Sequence, residues 1–227
     1  MKKRKSKKRD KSFLDLLLKK SKKAPLAENN GTLLENILDT IMSEKDADPG
    51  LTGKTKSELL REFVDWNEIR LVAPYRLLNF FEKHSTGEYK RKVVQALLNK
   101  IFSRSGSLDY QFLLDFEGDA LEDYLSGIME MNEETRKLLL VRVFRRPILP
   151  ISSEQEAVFQ MAGTTYVAGD EVMKETFSKL QPEELEGIKA LFDQIMSEQG
   201  IVPEGEGETV DIKSKTLLSI MRNLEDE

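Results

Sequence analysis

From Leu33 onward, apolar residues in this chain recur at intervals of three and four instead of alternating. Leu33, Leu34, Ile37, Leu38 and Ile41 put one stripe on a helix that should end near Ser43. Asp46 to Gly53, with Pro49 and two glycines, reads as a loop. Ser57 to Phe63 and Ala73 to Phe81 read as two further helices, the second opened by Pro74 in its first turn. Tyr89 to Phe102 is the longest clear amphipathic segment. Val93, Val94, Leu97, Leu98, Ile101 and Phe102 share one side, and Lys90, Arg91, Lys92 and Lys100 the other. After a break at Ser103 to Ser107 come Tyr110 to Asp115, Gly118 to Gly127, and Asn132 to Phe144, where Asn132 can cap. Pro147 and Pro150 bound a turn, and Ser152 can cap a helix through Met161. Beyond Gly163 to Gly169 lie Glu171 to Leu180, Pro182 to Glu198 and Asp211 to Leu224, with an acidic loop at Pro203 to Thr209. Period-two alternation is nearly absent, which predicts an all-α protein of about ten helices, and no internal repeat of constant period is found.

The net charge of −5 conceals a strong asymmetry. Residues 1–23 contain 12 Lys+Arg and 2 Asp, a net of +10, so the remaining 204 residues carry −15. Lys2, Lys3, Arg4, Lys5, Lys7, Lys8, Arg9 and Lys11 are too dense to fold around a core, which predicts a disordered arm. Such an arm attracts phosphates through counterion release, without reading sequence; the alternative is a solvated tail or one that folds back on the acidic body. Phe13 to Leu18 could form one or two amphipathic turns on meeting an acidic lipid or a partner, although Asp15 and its shortness argue against a membrane anchor. Ala24 to Gly31 reads as a linker. The expected organisation is therefore an arm and linker over 1–31, a helical domain over 32–200, and an acidic loop with a C-terminal helix over 201–227.

No cysteine is present, which excludes disulfides, thiol catalysis and cysteine-ligated zinc or iron–sulfur centres. No apolar run approaches the roughly 20 residues of a bilayer span, and the basic start lacks a signal peptide's uninterrupted apolar core. The expectation is a cytoplasmic protein with no cofactor, no metal and no membrane partner.

Phe63-Val64-Asp65-Trp66-Asn67-Glu68-Ile69-Arg70 resembles the F-x-D-W-N-E-V-R signature of endonuclease III-like proteins, which are helix-hairpin-helix base-excision repair (HhH-GPD) folds. The resemblance runs from about Leu33 to Gly163 and implies an all-α, two-lobed multi-helix bundle like the HhH-GPD DNA glycosylase fold. Within the motif, Trp66 should bury its large ring. Asn67, Glu68 and Arg70 should tie a helix end to its neighbours, and none of them is a nucleophile. Active relatives carry a hairpin L-P-G-V-G-x-K-T-A, whose glycines bring backbone amides to a DNA phosphate, and a later V-D-T-H segment. The lysine attacks the sugar or activates water, and the aspartate stabilises charge on the sugar. On this chain the hairpin falls on Ile128-Met129-Glu130-Met131-Asn132-Glu133-Glu134-Thr135, without its glycines. The lysine position becomes Glu134, with Lys137 three residues on, and the aspartate position becomes Ser152, with Glu154 nearby. Relatives also place a glutamine-bearing loop after the first core helix, where it fills the space left by a flipped base. The corresponding stretch here is Met42-Ser43-Glu44-Lys45-Asp46, in which Lys45 can touch a backbone but cannot read a base edge.

The leading expectation is a catalytically degenerate member without catalytic residues, associated with nucleic acid, DNA first, through the arm and Lys45. It has an accessory role in DNA repair and possible protein contacts. One alternative is a divergent glycosylase or lyase using Lys137 with Glu154, and the other an interaction scaffold without nucleic acid. Three further features weigh less. His84, the sole histidine, sits near a helix end and reads as solvated or as a C-terminal cap. Asp115, Glu117 and Asp119 lack the spacing of a calcium loop and read as caps. Gly-Leu-Thr-Gly-Lys-Thr over 50–55 resembles a phosphate-binding loop, but it has two residues between its glycines instead of four and no strand before it.

Overall fold

The computed structural model describes residues 17, 19–21, 31–46, 48, 50–151, 155–156 and 177–198. They are all-α: α1 Leu33–Ser43, α2 Leu51–Glu62, α3 Trp66–Leu71, α4 Pro74–Phe81, α5 Gly87–Ser105, a 3-10 turn Gln111–Asp115, α6 Ala120–Ser126, α7 Glu133–Arg142 and α8 Pro182–Glu198. No strand occurs among the described residues. Two compact units divide the chain, one over Glu28–Phe144 and the other joining Met1–Ala27 to Arg145–Glu227.

In the Glu28–Phe144 unit α5 is the central strut. Val93, Val94, Leu97, Leu98 and Ile101 are buried on it, and α1, α3 and α4 pack against it. Helix α1 presents Leu34, Ile37, Leu38, Ile41 and Met42 to the core, and also touches α2 and α7. Its start follows directly from Thr32-x-x-Glu35. The Thr32 hydroxyl accepts the Glu35 amide and the Glu35 carboxylate accepts the Thr32 amide at 2.7 Å. Those Thr32 hydrogen bonds hold the Glu35 carboxyl below its ordinary range.

The Phe63–Arg70 motif is structural, as its residue types suggest, yet it forms a helix that the periodicity does not announce. Asp65 Oδ1 accepts the Glu68 amide at 2.8 Å and Glu68 Oε2 accepts the Val64 amide at 2.7 Å, which starts α3. A six-residue helix is too short to show a stripe, but the Asp-x-x-Glu spacing carried the signal. Arg70 lies over the Phe102 ring, 3.8 Å from its centroid, and donates to Asn67 and Asn99. Trp66 departs from expectation: it is half-buried, and the motif's buried side chains are Phe63 and Ile69.

Three other expectations change. Helix α2 begins at Leu51 instead of Ser57, so Gly53 is a helical residue and the Gly-Leu-Thr-Gly-Lys-Thr stretch runs into a helix instead of forming a loop. Lys90 and Arg91, assigned to the polar side of α5, are buried. Each has a partner there, Asp46 for Lys90 and Gln95 for Arg91. Tyr110 to Asp115 is a 3-10 turn, its Phe112 ring edge-on to Phe116 and Tyr124.

In the other unit Leu185, Ile188, Phe192 and Met196 bury one stripe of α8, at the spacing an amphipathic helix requires. Leu17 is helical and wholly buried, within the stretch that composition assigned to a disordered arm. Its neighbours Leu14 and Leu16 share that apolar segment in sequence. The helices expected at Ser152 to Met161, Glu171 to Leu180 and Asp211 to Leu224, and the loop at Pro203 to Thr209, fall wholly or mostly outside the described residues.

Gly53 is exposed in α2, and a Cβ added there meets nothing within 4 Å. Gly53→Ala should therefore raise unfolding stability by about 0.5–1 kcal/mol, the usual penalty of glycine in a helix. Urea denaturation checks this; an unchanged or lower midpoint would mean that α2 starts after residue 53.

Candidate functional site

Helices α6 and α7 are joined by a tight turn over 127–132, where the family resemblance puts its hairpin. Ile128 and Met131 are buried and anchor the turn, while Met129, 93% exposed, projects from its tip. The Lys100 ammonium donates to the Gly127 carbonyl at 2.9 Å, at the carbonyl end of α6. The first amides of α7 are the groups that hold a phosphate in a glycine-built hairpin. Here Asn132 Oδ1 accepts the Thr135 amide at 2.8 Å, so the helix is capped by its own chain. Glu130 is exposed on the turn, and Glu133 and Glu134 occupy the first turn of α7. Over residues 106–135 the chain has nine acidic side chains and no basic one. Basic groups reach this stretch from other elements: Lys100 at Gly127, Arg104 over the Phe112 ring and Lys45 at Glu134.

The Glu134 carboxylate is met by an amine from another element. Glu134 Oε2 pairs with Lys45 Nζ at 2.9 Å. Lys45 sits in the α1–α2 loop with φ +59° and a half-exposed side chain. Lys137, the alternative nucleophile, is nearly sealed from solvent and pairs with Glu133 at 2.7 Å. Ser152 and Glu154 lie outside the described residues, as do Lys2, Lys3, Arg4, Lys5, Lys7, Lys8, Arg9 and Lys11. Of the expected nucleic-acid contacts only Lys45 has a described position, and its charge is partly spent on Glu134.

A densely bonded polar group lies in the short loop Glu44-Lys45-Asp46. Asp46 Oδ1 accepts the Ser85 amide at 2.7 Å, while Oδ2 lies 2.5 Å from His84 Nδ1 and 2.9 Å from Lys90 Nζ. Burial alone would raise the Asp46 carboxyl, but Lys90, His84 and the Ser85 amide converge on it, outweigh burial and hold the group below its ordinary value. His84 is thus not solvated. Its ring is fully covered and bonds Thr55 Oγ1 on α2 through Nε2 at 2.8 Å. Sequence position alone missed this, because its partners are 29 and 38 residues away. The carboxylate, imidazole and hydroxyl have the connectivity of a nucleophile relay, but Thr55 and His84 are both buried, so the hydroxyl is not presented to a substrate.

Glu44 completes a second chain of hydrogen bonds. The Asn132 amide donates to Tyr89 Oη, Tyr89 bonds Thr135 Oγ1 at 2.6 Å, and Thr135 donates to Glu44 Oε2 at 2.5 Å. A hydroxyl has one proton, so with Thr135 donating to Glu44 the Tyr89 hydroxyl must donate to Thr135. Burial pushes the Glu44 carboxyl up, opposed by the Thr135 hydrogen bond and reinforced by the Glu134 charge. Burial likewise raises Tyr89.

Asp119 stands at the N-terminus of α6, but its side chain makes no cap hydrogen bond, contrary to the capping role expected for it. Among the described residues no group of histidines and carboxylates is placed to hold a metal ion, and no helix is long and apolar enough to cross a membrane.

No family model matches the chain. A stretch of 84 residues, 37% of the chain, is 26% identical to DEMETER-like protein 2 of Arabidopsis thaliana. The match spans 6% of that protein's length.

Asp46→Asn leaves an acceptor for Ser85 but strands the buried Lys90 ammonium, and should cost about 3–5 kcal/mol at neutral pH. The sign with pH follows from the lowered carboxyl. The folded protein binds fewer protons there than the unfolded chain, so the contribution is full above the ordinary 3.8 and is lost as pH falls through the lower folded value. Denaturation of wild type and variant at neutral pH and at a pH below the folded value checks both points. The gap should be wide at the first and narrow at the second.

Proposed function

We propose that the chain is a catalytically degenerate endonuclease III-like protein that associates with nucleic acid, DNA first, through its basic N-terminal residues. The helical body contributes protein contacts in an accessory role in DNA repair, and a cytoplasmic location goes with this reading. The observation that carries it is the hairpin between α6 and α7. The resemblance puts the family's hairpin here, but this helix start is capped by Asn132, its turn is acidic, and Glu134 falls at the position read as the lysine's. The local similarity to DEMETER-like protein 2 supports the same descent.

On this reading the duplex-binding element of the family has been converted into an acidic surface, and affinity falls to the +10 segment. Because Leu17 is buried, the test must spare it. Replacing Lys2, Lys3, Arg4, Lys5, Lys7, Lys8, Arg9 and Lys11 by serine in the full chain should abolish most binding to a duplex at low salt. It should also flatten the dependence of log affinity on log salt, which scales at about 0.9 per phosphate neutralised. Equal binding by the two proteins, measured by fluorescence anisotropy across a salt series, would sink the proposal.

A second reading is favoured by one distance. Lys45 Nζ, 2.9 Å from Glu134, puts an amine beside the family's lysine position, which Lys137 does not. That amine is held in an ion pair with Glu134 and is therefore a poor nucleophile. The expected outcome of borohydride trapping on abasic duplex is no adduct above background. An adduct that disappears in Lys45→Ala and persists in Lys137→Ala would instead make the protein a lyase built on a relocated lysine.

A further inference from the structure

Of the large apolar side chains exposed among the described residues, all but Leu114 and Met129 lie between residues 60 and 75. Val64 is 89% exposed, Tyr75 73%, Leu71 68% and Leu60 41%. Leu60 lies in the last turn of α2 and Val64 just beyond it, Leu71 ends α3, and Tyr75 is in the first turn of α4. The Glu62–Arg76 ion pair at 3.3 Å and the Arg76 guanidinium over the Phe63 ring bring the end of α2 to the start of α4. Gln95 on α5 donates to the Val72 carbonyl at 2.8 Å, which fastens the link between Leu71 and Tyr75 to the central helix. Helix α3 has six residues, a length of about 9 Å, so Val64 and Leu71 stand near its two ends. The four side chains are therefore grouped on one small region of the surface. Trp66, half-buried, opens α3 between Val64 and Leu71.

Apolar side chains exposed singly are ordinary, whereas a group of them marks a contact. Charge restricts what that contact is. Residues 60–76 carry Arg61, Arg70 and Arg76 against Glu62, Asp65 and Glu68, a net of zero in a chain of net −5. A phosphate backbone calls for an excess of basic groups, and a basic partner for an excess of acidic ones. The stretch 106–135 has the second character and this one has neither. A face with an apolar centre and equal numbers of both signs is complementary to a copy of itself turned about a two-fold axis. It is also a face on which two acidic chains meet with little repulsion. Glu62 and Arg76 are each half-exposed, so both can reach a second copy from the rim. Of these 17 residues only Phe63 and Ile69 are buried, and a standard interface uses roughly 20–30 residues a side, so the face supplies the centre of one.

We propose that the chain forms a two-fold dimer through the face of Leu60, Val64, Leu71 and Tyr75, with α3 and Trp66 at the contact. The second copy completes the cover of the half-buried indole, which accounts for a motif whose tryptophan is less buried than its Phe63 and Ile69. The pairing uses neither the α6–α7 hairpin nor the basic N-terminal residues, and it does not rest on nucleic-acid binding.

Trp66 is the only tryptophan, so its emission reports on this face alone in the full-length protein. As concentration rises, the mass measured by sedimentation should pass from one chain to two and no further. The Trp66 emission should move to shorter wavelength along the same curve. Val64→Glu and Val64→Lys put either sign of charge at the contact, and each should weaken association by at least about tenfold. Their urea midpoints should match the wild type, since the Val64 side chain is exposed and its amide bond to Glu68 is kept. A loss with both signs identifies an apolar contact. Tyr75→Lys on α4 should act in the same direction, and it decides the matter if the Val64 variants do not fold. Met129→Lys, on the equally exposed tip of the α6–α7 turn, should leave association unchanged. A wild type that stays monomeric up to its solubility limit, or an assembly that grows past two chains, would overturn the dimer. So would association unmoved by the Val64 and Tyr75 variants, or formed without a change in Trp66 emission.

Discussion

One buried carboxylate holds together two turns that the backbone would not adopt unaided. Asp46 follows Lys45, at φ +59°, and reaches His84 and Ser85, just before Thr86, at φ +56°. Left-handed backbone costs an ordinary residue about 1–2 kcal/mol, and neither position is a glycine. The Asp46 contacts offset that strain on both sides at once. Between them runs another constraint: a Cβ on Gly87 would stand 2.0 Å from the Phe81 carbonyl oxygen, so the start of α5 can approach the end of α4 only through glycine. The α1–α2 loop, the α4–α5 turn and the first turn of α5 are therefore one mechanical joint.

That joint also explains why the interior of an acidic protein contains lysine. Lys90 is covered because Asp46 is, and Asp46 is ionised because Lys90, His84 and the Ser85 amide converge on it. Glu44, one residue from the same turn, is drawn under cover by Thr135 and held against its preference for water. The loop thus reaches α7 through Glu44 and Lys45, and α5 through Asp46.

The sequence made the long, one-sided helices legible and left the joint hidden. Helices α1, α5, α7 and α8 show three- and four-residue spacing with caps at Thr32 and Asn132, and they form near the predicted limits. Helix α3 was hidden by its length, and the start of α2 by Gly53, whose local preference is overridden once the helix packs on α1 and α4. Local reasoning put Lys90 in solvent and His84 at a wet helix end, since no periodicity reveals a carboxylate 38 residues away. The Trp66 motif was readable as structure rather than chemistry. Its conspicuous tryptophan turned out less buried than its phenylalanine and isoleucine, because Asp65 and Glu68 fix the helix start and leave the indole at the edge.

What the helix pair α6–α7 can bind follows from how its orphan amides are satisfied. A helix N-terminus offers unpaired N–H groups and a partial positive charge, and a glycine turn lets an external phosphate take them up. Placing asparagine at the cap gives one of those amides an internal partner, and glutamates in the next two positions occupy the dipole with fixed negative charge. Putting a glycine into the turn alone would not create an anion site, because Glu133 and Glu134 would still oppose the phosphate and Lys45 would still be bound to Glu134. The acidic character of the turn is thus spread over several coupled residues: Glu133 pairs with Lys137 on α7, and Glu134 with Lys45 on the α1–α2 loop. The second of these pairs fastens the hairpin to the joint at that loop.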